Sequence, residues 1–564
     1  MPHRQSRNSS IVLVVSVVVV LILGALGAFV AVRSSRTPED ANDAETRGVA
    51  GPWLRLSCRL PVEYLERTQR GYFDGRSPDV TMVPKAPNFT GSFGFTTHAG
   101  PWPYVQRVPL VLYGPGFIES RGEVRLDRDV DLADLPSTLA ELLDTPLPQG
   151  AGSPIEEVLV PPDQRSEDLK LIVTVVWDGG GWNVLNRYPN AWPNLNTLMQ
   201  RGTSLRNVMV GSSPSTTPAV HSTIGTGAWP SKHGAVDIPM RKDGEMVASF
   251  EGFSADDVLL PTLADLYDQA TGNKAKVGMV AERPWHLGML GHGASLEGGD
   301  KDIAVLWNLE HELVTNPDFY RIPSYLDARP TLDEELRILD AEDGRIDSAW
   351  LGNEVLNDRS EWRNSPLWTM YQPELLRSIV TNEGFGQDDV TDLLFTNFKH
   401  IDVVGHYPKL AMELRSTIRY TDGALAELMR NLDQDVGKGQ WVLAFTADHG
   451  QTTDPAITGA WPIDLSALTD DVEAHFGVDS DRLIEEERPN GLWLDQVTMR
   501  EHDITADAIS SFLLDYRIRD NYEPDRRPAP EVYSARLSEG LFSAAFPAGR
   551  VDGVLRCARR RSGD

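Results

Sequence analysis

Residues 170–181 read KLIVTVVWDGGG, a nearly uninterrupted apolar run that ends at Asp178 and three glycines. Runs without polar alternation are typical of strands that are buried on both faces of a sheet. Three later runs have the same character: AKVGMV (275–280), TDLLFTNF (391–398) and WVLAFTA (441–447). Helical stretches such as residues 408–432 lie between them. This alternation predicts an α/β fold, with a mostly parallel sheet sandwiched by helices.

The bulk composition limits the classes of partner. The chain has 564 residues, enough for a large core and several structural segments. Its 53 basic and 82 acidic residues give a net charge of −29. Because nucleic acid and anionic lipid bind to basic surfaces, this balance argues against nucleic acid as a structural partner. The composition does not indicate an oligomeric state.

An apolar run near the N-terminus, residues 11–32, carries no charge and is long enough to cross a bilayer as a helix. It is longer than the core of a usual signal peptide, which favours an uncleaved signal-anchor. We therefore predict a cytoplasmic stub and transmembrane anchor over residues 1–35 and a polar linker over 36–52. The body is expected outside the cytoplasm, attached to the cell membrane by this single span.

Polar residues follow three of the predicted strands at the point where each strand ends. These residues are Asp178 after the first, Asp402 and His406 shortly after the second, and Asp448 and His449 after the third. The carboxyl ends of parallel strands meet at one edge of a sheet, where active sites gather. Carboxylates and imidazoles are the ligands that zinc prefers, although acidic clusters also suit Mn²⁺ or Mg²⁺. The sequence therefore predicts a divalent-metal site at this edge.

A hydroxyl-rich segment, SSPSTTPAVHSTIGTG (212–227), precedes a helical pattern. Thr217 is followed by Pro218, which is favoured at the first helical position, so Thr217 is predicted to be the N-cap. Free backbone N–H groups and the helix dipole favour an anionic ligand there. Beside a metal ion, the hydroxyl would be a nucleophile for phosphorus. Simple capping of the helix is the alternative.

Together and in this order, these motifs resemble those of the alkaline phosphatase superfamily, and most of all its type I phosphodiesterase/nucleotide pyrophosphatase branch. The matching elements are Asp178, the TG that ends the Thr-led helix (226–227), SKHG (231–234), D-x-x-x-H (402–406) and DHG (448–450). The resemblance implies a hydrolase of phosphate mono- or diesters that works through a phospho-threonine intermediate. Counting back from the TG places the nucleophile at Thr217, whereas alignment on the proline would select Thr216.

The resemblance also implies two divalent metal ions, with zinc favoured and Mn²⁺ or Mg²⁺ as alternatives. One ion would be held by Asp178, Asp448 and His449, with Thr217 adjoining it. The other would be held by Asp402, His406 and one more histidine. In the family that histidine follows DHG in a THGS-like loop. Here DHG is followed by His475, in a segment typical of an amphipathic helix, and by His502, and neither lies in such a loop.

The missing elements are found near the N-terminus. Residues 64–148 contain GRSPD (75–79), TTHAG (96–100), VPLVLYGPG (108–116) and DLPSTL (134–139), which resemble the C-terminal part of the family in order. This implies a circular permutation in which His98 is the last metal ligand. The predicted segments are then a permuted part (53–160), a first core part (161–240), a cap insertion (241–390) and a second core part (391–560).

The permutation has a consequence for Cys58 and Cys557, the two cysteines of the chain. Spacing alone leaves open whether they are unrelated thiols or a pair. In family order, however, they flank the junction where the usual chain would be continuous. The resemblance therefore implies a disulfide between them, as suits a protein outside the cytoplasm.

The sequence departs from the family pattern at one phosphate-binding position. Many relatives have an Asn where this chain has Ile238, and Arg241 is a speculative substitute for substrate binding. His286 and His292, in the predicted cap, are candidates to line a pocket or are ordinary loop residues. A phospho-group transferase acting on lipid or glycan and a non-catalytic binding protein of the same fold are the alternative functions.

Overall fold

The computed structural model describes residues 51–147, 152–166, 168–480, 482–522 and 531–563. The predicted transmembrane helix over residues 11–32 and nearly all of the linker over 36–52 lie outside this part of the chain. Within it, no helix combines the length and apolar character that a membrane span requires.

Two main β-sheets are built from fourteen strands of the described residues. In chain order, these strands are β1 (Val80–Pro84), β2 (Leu110–Tyr113), β3 (Gly122–Val124), β4 (Leu171–Trp177), β5 (Thr203–Leu205), β6 (Val277–Val280), β7 (Asp302–Trp307), β8 (Leu313–Val314), β9 (Tyr320–Arg321), β10 (Asp392–Phe398), β11 (Trp441–Thr446), β12 (Ile484–Arg488), β13 (Gly491–Leu494) and β14 (Phe542–Pro547). All four runs predicted as buried strands are among them, as β4, β6, β10 and β11.

The central sheet has the strand order β8-β7-β6-β10-β4-β11-β2-β5-β3, and β9 pairs with β7. Its five middle strands, from β7 to β11, are parallel. β2 then joins β11 antiparallel, and β5 joins β2 antiparallel. The sheet is therefore mixed, with the predicted parallel arrangement confined to its middle and to the outer β7–β9 and β5–β3 pairs.

Eleven helices of eight residues or more occur in the described ranges. They are α1 (Val62–Gly71), α2 (Asp134–Leu143), α3 (Pro193–Arg201), α4 (Thr217–Thr226), α5 (Leu263–Thr271), α6 (Asp333–Asp340), α7 (Leu367–Glu383), α8 (Ala411–Leu432), α9 (Leu465–Phe476), α10 (Ala506–Asp515) and α11 (Val551–Ser562). Helix α8 lies within the helical stretch predicted for 408–432, and α9 is the amphipathic helix predicted around His475.

The central sheet is buried on both faces. Along β4, Leu171, Val173 and Val175 pack into one apolar cluster. Ile172 and Val176 pack into a second cluster on the opposite face. Side chains alternate between faces of a strand, so an uninterrupted apolar run is required where both faces are covered. This is the physical reason that β4 could be predicted from its sequence.

The segment predicted as a cap, 241–390, contributes directly to the central sheet. Strands β6 to β9 belong to it, and β6 lies next to β10 in the parallel middle of the sheet. Only part of this segment therefore lies outside the α/β core.

The second sheet joins the two ends of the described body. Its order is β12-β13-β1-β14, so that β1 from the N-terminal segment lies between two strands from the C-terminal part. Cys58 and Cys557 form a disulfide, with their Cα atoms 5.5 Å apart. The predicted disulfide is confirmed, and it ties the start of the body to α11.

Candidate active site

Three neighbouring parallel strands deliver the predicted metal ligands to one edge of the central sheet. Asp178 directly follows β4, and Asp448 comes two residues after β11. Strand β10 leads into a short helix, His400–Gly405, that carries Asp402. Gly179 has φ +70°, and a Cβ there would be 2.8 Å from the Cα of Asp402, so this close approach of two strand ends requires glycine.

The first predicted group has the spacing of a metal site. His449 Nε2 is 3.4 Å from Asp448 Oδ2 and 3.5 Å from Asp178 Oδ1. Two atoms bound to one tetrahedral ion at zinc-ligand distances are about 3.4 Å apart. Asp448 Oδ2 and His449 Nε2 are both fully buried and form no hydrogen bond within the described residues. A divalent ion placed among these atoms would satisfy them, so the residues present fit the metal.

The second group converges on Asp402. Its Oδ1 is 3.3 Å from His406 Nε2 and 3.8 Å from His98 Nε2. Each imidazole is oriented by a backbone carbonyl at Nδ1: Ser215 O at 2.9 Å for His98, and Thr96 O at 2.5 Å for His406. Donation from Nδ1 to these carbonyls leaves Nε2 with a free lone pair for a metal ion.

His98 reaches this cluster from the N-terminal segment. Its ring is stacked on that of His449, with the centroids 3.4 Å apart. It follows β1 and precedes β2, and β2 pairs antiparallel with β11, the strand that leads to Asp448. The motif VPLVLYGPG (108–116) therefore supplies a strand to the same sheet that leads to Asp402 and Asp448.

A lysine that the sequence analysis missed lies between the two groups. Lys399 is buried, and its Nζ donates to Asp178 Oδ1 at 2.9 Å and to Asp402 Oδ2 at 2.7 Å. Its position directly after β10, three residues before Asp402, was a usable signal. The ammonium neutralises part of the negative charge of the carboxylates without occupying Asp402 Oδ1, the atom that faces the histidines.

The charges in this cluster set the protonation of its acids. Burial alone would raise the pKa of Asp178, but the Lys399 ammonium holds that pKa below its ordinary value. Burial is likewise outweighed at Asp402, whose pKa is lowered by His406 and Lys399. Burial and the neighbouring Asp178 raise the pKa of Asp448 to about 7. Two of the three carboxyls are thus held ionised, as metal ligands must be.

The proposed nucleophile stands at the start of α4. The helix begins at Thr217, and its N-cap is Thr216, with φ −92° and ψ 150°. The prediction of Thr217 as the N-cap is therefore wrong by one residue. It assumed that Pro218 is the first helical residue, but Pro218 is the second. Proline is tolerated there as well, because the N–H groups of the first turn have no partner within the helix. The Thr216 hydroxyl contacts Val236 O at 3.4 Å, whereas the Thr217 hydroxyl forms no hydrogen bond among the described residues.

Further buried polar residues lie behind Asp178. Asn397 Nδ2 donates to Asp178 Oδ2 at 3.2 Å and lies 3.0 Å from His221 Nε2. His221 Nδ1 donates to Thr217 O at 2.9 Å, which links the metal ligand to the start of α4. His286 packs edge-on against His221 at 4.7 Å. No sequence motif distinguished Asn397 and His221 from ordinary core positions. His286, a candidate from the predicted cap, is fully buried beside them.

Other candidates named from the sequence have different surroundings. Arg241 is held by Asp79 at 2.9 Å and Glu485 at 2.6 Å, and no contact of the described residues joins it to the metal-ligand cluster. His292 Nδ1 pairs with Asp265 Oδ2 at 2.8 Å. Ile238 has an apolar side chain and therefore offers no hydrogen-bond donor in place of the family Asn. Its backbone N–H donates to Asp237 Oδ1 at 2.8 Å.

A basic residue that the sequence analysis missed lies close to the start of α4. Arg488 and Asp237 line the same cavity. Burial raises the pKa of Asp237 to about 6, and Arg488 partly opposes this rise. Asp237 directly follows Val236, whose carbonyl oxygen accepts from the Thr216 hydroxyl, so the Arg488 side chain belongs to the surroundings of the two threonines.

Comparison with known proteins gives a consistent result. The family model described as type I phosphodiesterase / nucleotide pyrophosphatase matches residues 172–536. The alkaline phosphatase PhoV of Synechococcus elongatus is 24% identical over 51% of this chain, and the match spans 60% of its own length. The alkaline phosphatase PafA of Elizabethkingia meningoseptica is 20% identical over 70% of this chain and 80% of its own length.

The comparison of structures agrees on the fold. A crystal structure of a PafA variant superposes with a TM-score of 0.50, at 18% identity, over 69% of this chain and 85% of the other. The fold is alkaline-phosphatase-like. The family match begins at residue 172, so His98 and the strand β2 lie outside it.

Proposed function

Because this chain belongs to the type I phosphodiesterase / nucleotide pyrophosphatase family, we propose that it is a metal-dependent hydrolase of phosphate mono- or diesters. The observation that carries the proposal is the pair of ligand groups at one sheet edge. In the first group, one imidazole Nε2 lies near two carboxylate oxygens. In the second, two imidazole Nε2 atoms lie near one carboxylate oxygen. An ion could bridge the atoms of each group. Two divalent ions, with zinc favoured by the mixture of imidazole and carboxylate, complete the proposed centre.

The proposed nucleophile is the Thr217 hydroxyl. Its oxygen attacks phosphorus in line and loses its proton, the P–O bond to the leaving alcohol breaks, the alcohol takes up a proton, and a phospho-threonine forms. A water molecule then attacks the same phosphorus and frees the hydroxyl, releasing phosphate from a monoester or a phosphate monoester from a diester. When bound, the metal ions would lower the pKa of attacking oxygens and offset the charge of the transition state. The unpaired N–H groups at the start of α4 face the same anionic group, and the helix dipole favours it.

The residues around Thr217 support this role over that of Thr216. The Thr216 hydroxyl is engaged by Val236 O, and Thr216 itself lies at the N-cap position, just outside the helix. The hydroxyl of Thr217 is free of such bonds within the described residues. A nucleophile must be free to approach the substrate, so the geometry favours Thr217.

We also propose that the chain is a circularly permuted member of its family. Three observations support this: His98 lies beside Asp402, β2 pairs with β11, and the disulfide joins the two ends of the body. All three involve residues 53–160 or the C-terminal end, while the family match covers the intervening chain from residue 172. Relocation of the family's last segment to the front accounts for all of them.

The proposed location is outside the cytoplasm, with the chain anchored by residues 11–32. The disulfide supports an oxidising compartment, because cytosolic proteins rarely keep such bonds. A membrane-attached hydrolase in that position would act on phosphate esters outside the cell membrane.

The direct test uses purified full-length protein. Hydrolysis of p-nitrophenyl phosphate and of its bis ester would be measured together with bound metal. We expect turnover that is lost with a chelator and restored by Zn²⁺, with about two ions per chain. Protein that binds two ions per chain but hydrolyses neither ester would contradict the proposed activity.

A further inference from the structure

A second acidic cluster lies on residues that the proposed mechanism does not use. Asp268 is in the last turn of α5, Asp302 is the first residue of β7, and Asp300 precedes it. One carboxylate oxygen of each residue lies within 4.8 Å of an oxygen of the other two. The topology brings them together because α5 leads into β6, which pairs with β7.

Two of these carboxylates are almost fully buried. Asp268 is 4% exposed and Asp302 is 8% exposed. Asp268 contributes one carboxylate oxygen to the cluster, and its Oδ1 is buried without a hydrogen-bond partner within the described residues. An ionised carboxylate that is buried and unpaired destabilises the folded state. The last turn of a helix adds to this cost, because the helix dipole disfavours an anion there.

Among the described residues, no basic side chain forms an ion pair with these carboxylates, and Arg321 offsets the charge of Asp302 only in part. Lys301 Nζ donates instead to Pro317 O at 2.6 Å, and Arg321 pairs with Glu383 at 2.7 Å. Burial and the neighbouring Asp300 raise the pKa of Asp268 to about 7. Burial and Asp268 raise the pKa of Asp302 well above its usual value. These shifts agree with the contacts: the cluster lacks a cation.

The loop before β7 is held in place over the end of α5. Gln269 Nε2 donates to Glu297 O at 2.9 Å, and Asn273 Nδ2 donates to Gly298 O at 3.1 Å. Asp300 is exposed, so one side of the cluster is open to water. The cluster therefore combines fixed buried oxygens with a hydrated side, as calcium sites do.

We propose that Asp268, Asp300 and Asp302 bind one Ca²⁺ ion, which fastens residues 297–302 to the end of α5. The three ligating groups are all carboxylates, which favours a hard cation over zinc. Ca²⁺ accepts oxygens in a flexible arrangement, whereas Mg²⁺ demands a nearly ideal octahedron, so three carboxylates with one hydrated side favour Ca²⁺. Waters on the side of Asp300 would complete the coordination.

The test is calcium-dependent thermal unfolding of the purified full-length protein after removal of divalent ions. Ca²⁺ is expected to raise the unfolding midpoint of the wild type by a few degrees. Asp268→Asn and Asp300→Asn should lose this rise. Without Ca²⁺, Asp268→Asn should be at least as stable as the wild type, because it removes repulsion, and this separates a lost ligand from misfolding. Asp470→Asn, an exposed acid on α9, is the matched control and should retain the rise.

Two further variants distinguish the proposed Ca²⁺ site from the proposed catalytic metal site. Asp448→Asn should still respond to Ca²⁺, and Asp268→Asn should still hydrolyse p-nitrophenyl phosphate when Zn²⁺ is supplied. The proposal is overturned if the wild type does not respond, if Asp268→Asn and Asp300→Asn respond as the wild type does, or if Mg²⁺ at the same concentration gives an equal rise.

Discussion

His98 Nε2 lies 3.8 Å from Asp402 Oδ1, although His98 belongs to the N-terminal segment and Asp402 to the second core part. The contact depends on the antiparallel pairing of β2 with β11. It gives a sharp test of the second metal position, because His98 belongs to the segment that the family match does not cover.

His98→Ala is expected to lower the bound metal from about two ions per chain to about one, because Asp402 and His406 alone leave that site two-coordinate. Turnover of p-nitrophenyl phosphate should fall at least about 100-fold. His292→Ala is the matched control, since His292 pairs with Asp265 outside the cluster. Retention of both ions and full turnover by His98→Ala would remove His98 from the site. Elemental analysis with steady-state kinetics measures both quantities.

Thr217→Ala is expected to lower kcat by roughly 10³-fold or more, as removal of a nucleophile does in other enzymes. Thr216→Ala should lower kcat far less, because the Thr216 hydroxyl contacts the backbone carbonyl of Val236. Acid-quenched wild-type enzyme should carry phosphate on a peptide containing Thr217. If Thr216→Ala abolishes turnover and Thr217→Ala does not, the two roles are exchanged.

Lys399→Met is expected to destabilise the metal-free protein by about 3–5 kcal/mol, because Asp178 and Asp402 would be left as uncompensated buried charges. Divalent metal should restore part of the loss, since it supplies positive charge to the same carboxylates. Lys170→Met is the control, because its partner Asp389 is fully exposed and the ion pair is worth little. Denaturant unfolding with and without Zn²⁺ is the measurement. A loss of stability that does not depend on metal would contradict this account.

Cys58→Ser and Cys557→Ser are each expected to lower the free energy of unfolding by roughly 2–5 kcal/mol, as loss of a disulfide does. Activity well below the unfolding midpoint should be retained, because neither residue touches the metal ligands. The variant with both cysteines replaced should not respond to reductant, whereas the wild type should. Equal thiol counts in the wild type with and without reductant would disprove the bond.

Asp237→Asn tests a pH effect. The pKa of Asp237 is raised by burial from 3.8 to about 6, so the protonated form is favoured by folding. The contribution of Asp237 to the free energy of unfolding is fully present below pH 3.8 and is lost as the pH rises through about 6. The loss is roughly 3 kcal/mol, from the shift of about two pKa units. Asparagine stays neutral, so the variant should match the wild type near pH 4 and exceed it near pH 8. Asp243→Asn, at an exposed turn, should show no such difference.

The metal ligands were predictable because each belongs to a pattern that strand geometry enforces. A strand that is buried on both faces is apolar along its length, so the first polar residue marks its end. Neighbouring parallel strands end at the same edge of the sheet. Asp178 and Asp448 were found in this way. The position of His98 required the family resemblance as well, since nothing in TTHAG alone specifies β11 as the neighbour of β2.

The residues that were missed act through contacts that are distant in sequence and have no fixed spacing. Lys399 is defined by its approach to Asp178 across the sheet, and Arg488 by its place beside Asp237 in a shared cavity. Arg241 was chosen for its place in the sequence, but two carboxylates hold it. A single sequence gives the chemistry of a side chain, whereas its partner depends on the tertiary structure.

The pairing of β2 with β11 also bears on how the chain acquires its structure during synthesis. Residues 110–113 leave the ribosome long before residues 441–446, and at usual synthesis rates the interval is roughly 15 to 65 seconds. During that time β2 can pair with β5 on one edge only. The edge that pairs with β11 stays without a partner, and contacts of such sequence separation form slowly. The central sheet is therefore completed late, and the N-terminal segment depends on protection from aggregation until the C-terminal half has emerged.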